Sequence, residues 1–150
     1  MSKTEDRRSK DTTVADVLVV EDNPGDVKLI EKAFTSSQVS LHTVGTGEDA
    51  LDFLRAENGY EDVPRPDLVL LDLSLPTKNG DEVLREMEDE PRLSRIPVIV
   101  FTSSGDVRDV TETYERGANA YLTNPSSFSG FVDIAEQLER FWLETAKLPP

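Results

Sequence analysis

Short apolar runs alternate with amphipathic stretches along most of this 150-residue chain. Three runs are unbroken and two are weaker; they cover residues 17–20, 68–71 and 98–101, and residues 41–44 and 120–122. Unbroken runs of this length are typical of strands in a parallel sheet whose two faces are both covered. The pattern therefore predicts five strands.

Apolar residues recur at helical spacing in the stretches that follow the runs. The five apolar stripes consist of Val27, Leu29, Ile30, Ala33 and Phe34; Ala50, Leu51, Phe53 and Leu54; Val83, Leu84 and Met87; Val107, Val110 and Tyr114; and Phe131, Ile134, Ala135, Leu138, Phe141 and Trp142. Asn23 and Pro24 supply a helix cap and a proline suited to the first helical position, and Pro91 helps to stop the third helix. This order predicts a (βα)5 domain, and right-handed crossovers favour an open, doubly wound sheet with helices on both faces.

The two ends of the chain lack this pattern. Residues 1–13 are polar without apolar periodicity, which predicts a disordered tail. Residues 14–146 form the predicted domain and residues 147–150 a short tail, so we expect no output domain in this sequence.

Composition narrows the classes of function. Sixteen Lys and Arg against thirty Asp and Glu give a formal net charge of −14, which argues against binding to nucleic acid or to an anionic membrane. With no cysteine, and with His42 as its one histidine, the chain has no disulfide, thiolate site or histidine-rich zinc site. We interpret His42, on the weak second strand, as an edge or surface residue. No apolar run approaches the roughly 20 residues needed to span a bilayer, and the start lacks a secretory signal, so we expect a cytoplasmic protein.

Acidic and hydroxyl side chains follow the predicted strands. Glu21 and Asp22 come after the first strand, Asp72 after the third and Thr102 after the fourth. Ligand sites of doubly wound folds lie at the carboxyl ends of the strands, so we expect the three carboxylates to converge. Their repulsion would raise at least one pKa, and a hard divalent cation such as Mg²⁺, which prefers oxygen ligands, would relieve it. A carboxylate beside such a cation and a hydroxyl donor suits phosphoryl transfer onto the carboxylate.

Five sequence motifs carry a resemblance to a known family. They are Val-Leu-Val-Val-Glu-Asp-Asn at residues 17–23, Pro-Asp-Leu-Val-Leu-Leu-Asp-Leu-Ser-Leu-Pro at 66–76, Gly80 eight residues after Asp72, Pro-Val-Ile-Val-Phe-Thr-Ser at 97–103 and Gly-Ala-Asn-Ala-Tyr-Leu-Thr-Asn-Pro at 117–125. Together they make residues 16–145 resemble the receiver domain of response regulators in two-component (phosphorelay) signalling. The resemblance implies a flavodoxin-like, five-stranded parallel sheet in the order 2-1-3-4-5. The first loop, at 21–26, and the longer segment at 55–66 are similar to those of stand-alone regulators paired with phytochrome-type sensor kinases.

The resemblance implies a role for each residue of the acidic group. Asp72 resembles the phosphoacceptor, which receives a phosphoryl group from the phosphohistidine of a sensor histidine kinase. Glu21 and Asp22 resemble the acidic pair that holds Mg²⁺, Asp22 directly and Glu21 through water, with Asp72 and the backbone carbonyl of Ser74 as further ligands. Such a domain is not an enzyme beyond self-catalysed phosphotransfer and dephosphorylation.

Two further residues resemble the switch of the family. Thr102 resembles the hydroxyl that turns inward to bond a phosphoryl oxygen. Tyr121 resembles the aromatic residue that follows it and changes the face formed by the fourth helix, the fifth strand and the fifth helix. That face implies output through contacts with a protein target that the sequence does not name, and an exposed Trp142 would point to a homodimer or partner surface. The resemblance also implies a cis bond before Pro125.

One position departs from the family pattern. The family has a lysine whose ammonium contacts the phosphoryl group and the acceptor carboxylate, and this chain has Asn124 there. An amide brings no charge, and charge-assisted hydrogen bonds are roughly twice as strong as neutral ones, so we expect slower phosphorylation or weaker coupling to the switch. Lys78 or Arg108 could substitute, although each is more typical of solvated surface charge. The alternative is a receiver that acts without phosphorylation as a constitutive protein-binding module.

Two other classes of protein fit less well. A phosphatase of the haloacid-dehalogenase type needs a second aspartate two residues after the nucleophile, where this chain has Ser74. A flavin-binding flavodoxin needs a phosphate loop after the first strand, where Glu21 and Asp22 would repel phosphate.

The acidic group accounts for only three of the negative charges. The others must lie on the surface, and lysine is scarcer than arginine along the chain. Such a surface resembles that of proteins from a salt-rich cytoplasm, where screening relieves self-repulsion. We hypothesise a halophilic adaptation on this ground.

Overall fold

The computed structural model describes residues 15–34, 39–75, 77–102 and 120–123, together with positions 129, 132, 133, 135 and 136. The strands are β1 (Ala15–Val20), β2 (Val39–Val44), β3 (Leu68–Asp72), β4 (Val98–Thr102) and β5 (Ala120–Thr123). The helices are α1 (Pro24–Ala33), α2 (Gly47–Arg55), α3 (Gly80–Asp89) and α4 (Pro91–Ser94). The five single positions are helical and fall within the predicted last helix, whereas the helix predicted around Val110 lies outside the described residues.

All five strands form one parallel sheet in the order β2-β1-β3-β4-β5. This result confirms the predicted doubly wound sheet and its 2-1-3-4-5 order. Val20 pairs with Leu71, and Asp72 pairs with Phe101. The carboxyl ends of β1, β3 and β4 therefore share one edge of the sheet.

The sheet separates two apolar clusters. Val17 and Val19 of β1 pack with α1 and with Ala135, while Leu18 and Val20 pack on the other face with α2 and α3. Successive side chains of a strand point to opposite faces, so an unbroken apolar run serves both clusters at once. The two-sided covering that the apolar runs predict is thus present.

Side-chain caps begin three helices close to the strand ends. The Asn23 side chain accepts the Asp26 N–H at 3.0 Å, with Pro24 in the first turn of α1 as predicted, and Thr46 caps α2. At α3, Asn79 and Glu82 form a reciprocal capping box. The sequence analysis did not identify this box.

The end of α3 differs in detail from the prediction. The helix stops at Asp89, and Pro91 then opens the short helix α4, in which Leu93 is buried. Proline suits a first helical turn because its missing N–H would have no partner there. A helix of four residues is too short to show a periodic pattern, so the sequence did not predict α4.

Two close backbone contacts involve the loop after β3, of which the structure describes residues 73–75 and 77–79. A Cβ atom at Gly80 would lie 2.6 Å from the carbonyl oxygen of Asp72, and one at Gly47 would lie 2.4 Å from that of Lys78. Only glycine allows these approaches. The loop is therefore packed between the starts of α2 and α3.

His42 lies on β2, which is an edge strand as predicted. Its Nε2 is 3.0 Å from Oδ1 of the buried Asp16, and its ring packs against Phe53 at a centroid distance of 5.6 Å. The residue has a packing role in this position.

No helix within the described part of the chain is long and apolar enough to cross a membrane.

Candidate acidic site at the carboxyl edge of the sheet

Three carboxylates converge where β1 and β3 end. Glu21 and Asp22 directly follow β1, and Asp72 is the last residue of β3. One carboxylate oxygen from each lies within 4.8 Å of the others. The parallel pairing of β1 with β3 brings them together, because it places Val20 beside Leu71. The expected convergence of these residues is therefore observed.

The three side chains differ in burial and in hydrogen bonding. Asp22 is exposed, whereas Glu21 is 3% exposed and Asp72 is 6% exposed. The backbone N–H of Asn23 donates to Oε2 of Glu21 at 3.0 Å, and that of Ser74 donates to Oδ1 of Asp72 at 3.0 Å. Oε1 of Glu21 is buried and accepts no hydrogen bond from any residue that the structure describes.

Burial dominates the electrostatics of the site. It raises the pKa of Glu21 against the effect of the Asn23 N–H, and the Asp72 carboxylate raises it further. Burial likewise raises the pKa of Asp72, against the Ser74 N–H, which lowers it. The two buried carboxyl groups therefore favour their neutral forms more than exposed carboxyl groups do.

The donor set suits a hard divalent cation. Carboxylate oxygens are the ligands that Mg²⁺ and Mn²⁺ prefer, and a cation would neutralise the repulsion between the acids. Oε1 of Glu21 is buried and accepts no hydrogen bond from the described residues, so it could bind a cation. The residues present thus fit a metal ion. The backbone carbonyl of Ser74 as a further ligand stays a prediction.

The remaining predicted site residues lie on β4 and β5 or beyond them. Thr102 is the last residue of β4, one position further toward this edge than Phe101, the partner of Asp72. Tyr121 lies on β5 and pairs with Val100. The switch roles of Thr102 and Tyr121 stay predictions. The predictions for Asn124, Pro125, Arg108 and Trp142 fall outside the described residues.

The loop after Asp72 contains features that sequence reasoning missed. Thr77 has a φ of 56°, which is rare for a β-branched residue, and its Oγ1 donates to the Glu48 carboxylate at 3.1 and 3.2 Å. The Lys78 ammonium forms an ion pair with Glu86 of α3 rather than with an acid of the site. The Ser74 and Asn23 N–H donors were also missed, because backbone donors depend on loop geometry and leave no signal in residue type.

An acidic cluster at this edge of a 2-1-3-4-5 parallel sheet defines a class of signalling domain. Residues 17–136 match the family model of the response regulator receiver domain. The chain belongs to this family, which places it in two-component signalling.

Individual relatives sharpen the assignment. The chain is 41% identical over 135 residues to response regulator Rcp1 of Synechocystis sp., with 89% of this chain and 92% of Rcp1 covered. The structure of the phosphorylated cyanobacterial phytochrome response regulator RcpA is 40% identical, covers 91% of this chain and 99% of its own, and has a TM-score of 0.87. The Mn²⁺-bound form of Rcp1 has the same identity and coverage and a TM-score of 0.84. These matches confirm the flavodoxin-like receiver fold and the similarity to phytochrome-associated regulators.

Proposed function

We propose that this protein is a phosphoacceptor that receives a phosphoryl group on Asp72 from the phosphohistidine of a sensor histidine kinase. The observation that carries the proposal is the buried Asp72 carboxylate, which ends β3 within 4.8 Å of the carboxylates of Glu21 and Asp22. Burial raises the pKa of Asp72 and of Glu21, and carboxyl groups perturbed in this way cluster at functional sites. The similarity to RcpA, whose structure is that of a phosphorylated protein, supports the same reading.

The transfer requires little beyond a placed carboxylate. Oδ1 of Asp72 accepts the Ser74 N–H, which leaves Oδ2 as the nucleophile. Oδ2 forms a bond to phosphorus while the phosphorus–nitrogen bond of the phosphohistidine breaks, and the imidazole nitrogen keeps that electron pair. A proton on the other ring nitrogen of the phosphohistidine makes the leaving imidazole neutral. The products are an aspartyl phosphate and a neutral histidine.

Glu21, Asp22 and Asp72 would hold the divalent cation, with Mg²⁺ as the proposed ion. When bound, the ion supplies positive charge that offsets the three carboxylates and the incoming phosphoryl oxygens. The relative Rcp1 has been solved with Mn²⁺, an ion with the same preference for oxygen ligands.

Signal output depends in this proposal on residues near the same edge. Thr102 would bond a phosphoryl oxygen, and Tyr121 would respond by changing the face formed by β5 and the helices predicted after β4 and after β5. Protein targets would bind that face. The backbone positions of Thr102 at the end of β4 and Tyr121 on β5 support this arrangement.

Intact-mass measurement tests the proposal. The protein is incubated with Mg²⁺ and acetyl phosphate, in parallel with an Asp72→Asn variant and with a sample that contains a chelator. We expect the mass of one added phosphoryl group in the wild type alone. No added mass in the wild type, or an equal gain in the Asp72→Asn variant, would contradict the assignment of Asp72.

The second candidate function is a receiver that binds its partner constitutively without phosphotransfer. The observation that favours it is Asn124, which stands where the family has a lysine. Under the first proposal an Asn124→Lys variant is phosphorylated faster by acetyl phosphate, because the ammonium adds charge beside the phosphoryl group. An unchanged rate would show that this position does not limit phosphotransfer. Absence of phosphorylation in both proteins would favour the constitutive module.

A further inference from the structure

A pocket of 550 Å³ lies apart from the acidic site, at the amino-terminal edge of β3 and β4. It is an open pocket bordered by the end of α2, the loop before β3 and the short helix α4. Its charged lining consists of three arginines, Arg65, Arg92 and Arg95. Asp72 ends β3 at the opposite edge of the sheet. The pocket is therefore separate from the candidate phosphoacceptor.

The charged residues that line this pocket are basic, although the chain is strongly acidic. Acidic residues outnumber basic ones by thirty to sixteen, yet none of the residues that line the pocket is acidic. Among the described residues, Arg92 and Arg95 form no ion pair, whereas the neighbouring Arg55 is engaged by Glu86 and Glu90. Two exposed guanidinium groups thus border this concavity, and no carboxylate in the part of the chain that the structure describes forms an ion pair with either of them.

A backbone contact holds two of the arginines together. Nη2 of Arg65 donates to the carbonyl oxygen of Arg92 at 3.5 Å, a long hydrogen bond that connects the loop before β3 with α4. The rest of the lining is apolar and consists of Leu54, Ala56, Pro91 and Leu93. Leu54 and Leu93 belong to the buried core, whereas Ala56 is partly exposed and Pro91 is exposed. The pocket combines a cationic rim with an apolar wall.

We infer that this pocket binds a small organic anion. The planar guanidinium of arginine matches phosphate and carboxylate groups with paired hydrogen bonds, and the apolar wall suits the body of such a molecule. The volume lies in the range of small-molecule sites, about 300–1,000 Å³. Charges are screened beyond about 8 Å at physiological salt, so a small anion in the pocket feels the arginines rather than the net charge of −14. An extended acidic protein segment would meet that negative surface over its whole length.

Calorimetric titration and NMR spectroscopy test the inference, with ADP and inorganic pyrophosphate as probes in metal-free buffer. Chelation keeps either probe from reaching the acidic site as a metal complex. We expect ADP to bind more tightly than pyrophosphate, because only ADP has a body for the apolar wall. An Arg92→Gln, Arg95→Gln double variant should lose at least about tenfold in ADP affinity, roughly 1.4 kcal/mol. Amide shifts should move at Leu93 and not at Asp72.

Arg85→Gln is the matched control, because Arg85 is an exposed arginine of α3 that does not line the pocket. It should retain ADP affinity within about twofold of the wild type, and thermal unfolding should show that all variants are folded. Saturation by neither probe, or equal ADP affinity in the double variant, would overturn the inference. So would probe-induced shifts centred on Asp72, or binding of an oligoglutamate peptide by the arginines when neither small anion binds.

Discussion

Two groups of carboxylates in this protein have opposite surroundings. Glu21 and Asp72 lie buried at the end of the sheet, where no basic side chain of the described residues forms an ion pair with them, and burial raises the pKa of each. Glu86 lies on α3 between Lys78 and Arg55, and the Lys78 ion pair lowers its pKa. The same kind of side chain thus strains the fold in one place and stabilises it in the other. This contrast supports the proposed phosphoacceptor site, because carboxyl groups with raised pKa values cluster at functional sites.

The ion pairs of Glu86 and Glu90 also connect elements next to the acidic site. Nε of Arg55 donates to Oε2 of Glu90 at 2.8 Å, and Nη2 donates to Oε1 of Glu86 at 3.0 Å, which ties α2 to α3. Lys78, in the loop that follows Asp72, joins the same cluster through Glu86. The ion pair of Lys78 with Glu86 therefore connects the loop that follows Asp72 to α3.

The largest expected effect is stabilisation by a divalent cation. At a Mg²⁺ concentration 100 times the dissociation constant, the free energy of unfolding should rise by about 2.7 kcal/mol, because the ion binds only the assembled carboxylates. Urea unfolding with and without Mg²⁺ measures this rise. Asp22→Ala should abolish most of it, while Asp89→Ala, an exposed acid at the end of α3, should not. An equal rise in both variants would show that the cation does not bind at the acidic site.

A smaller effect is expected when Glu21 loses its charge. In metal-free buffer, Glu21→Gln should raise the free energy of unfolding by about 1–2 kcal/mol, since an amide can keep the Asn23 hydrogen bond and donate to Asp72. The same variant should lose Mg²⁺ affinity. Urea unfolding without metal and a Mg²⁺ titration give the two results. A destabilised Glu21→Gln protein would show that the site is not strained.

The same substitution at Glu86 should have the opposite sign. Glu86→Gln should lower the free energy of unfolding by about 0.5–1 kcal/mol, as for a partly exposed ion pair. Because Lys78 lowers the pKa of Glu86, this contribution is complete above the ordinary carboxyl pKa of 4.5 and is lost as the pH falls through the lowered value. Urea unfolding from pH 3 to pH 7 measures the difference in the free energy of unfolding between the wild type and Glu86→Gln. A difference that persists at low pH would contradict a stabilising Glu86 ion pair.

The smallest effect concerns salt. If the acidic surface is a halophilic adaptation, molar KCl should raise the free energy of unfolding of the wild type by screening its net charge of −14. Screening should also reduce the difference in the free energy of unfolding between the wild type and Glu86→Gln, because the Glu86 ion pairs are partly exposed. The corresponding difference for Glu21→Gln should stay nearly unchanged, because Glu21 is buried. Full stability in dilute buffer together with no response to KCl would refute the adaptation.

The sequence by itself determined the architecture of this protein and the place of its site. The apolar runs of β1, β3 and β4 and the cap at Asn23 are local signals, because hydrophobic patterns and helix caps are formed by residues close together in the sequence. Glu21, Asp22 and Asp72 could be placed together because parallel strands bring their carboxyl ends to one edge. The family motifs supplied the proposed roles.

Only the tertiary structure decided how the charges are partnered. Arg55 contacts Glu90, and Arg65 contacts Arg92, although the partners lie far apart in the chain. The burial of Oε1 of Glu21 likewise depends on how separate elements pack. In a chain with thirty acidic residues, residue type says nothing about which carboxylate meets a cation. Burial and ion pairing depend on distances of a few ångströms between separate elements, and these distances are settled only when the helices pack on the sheet.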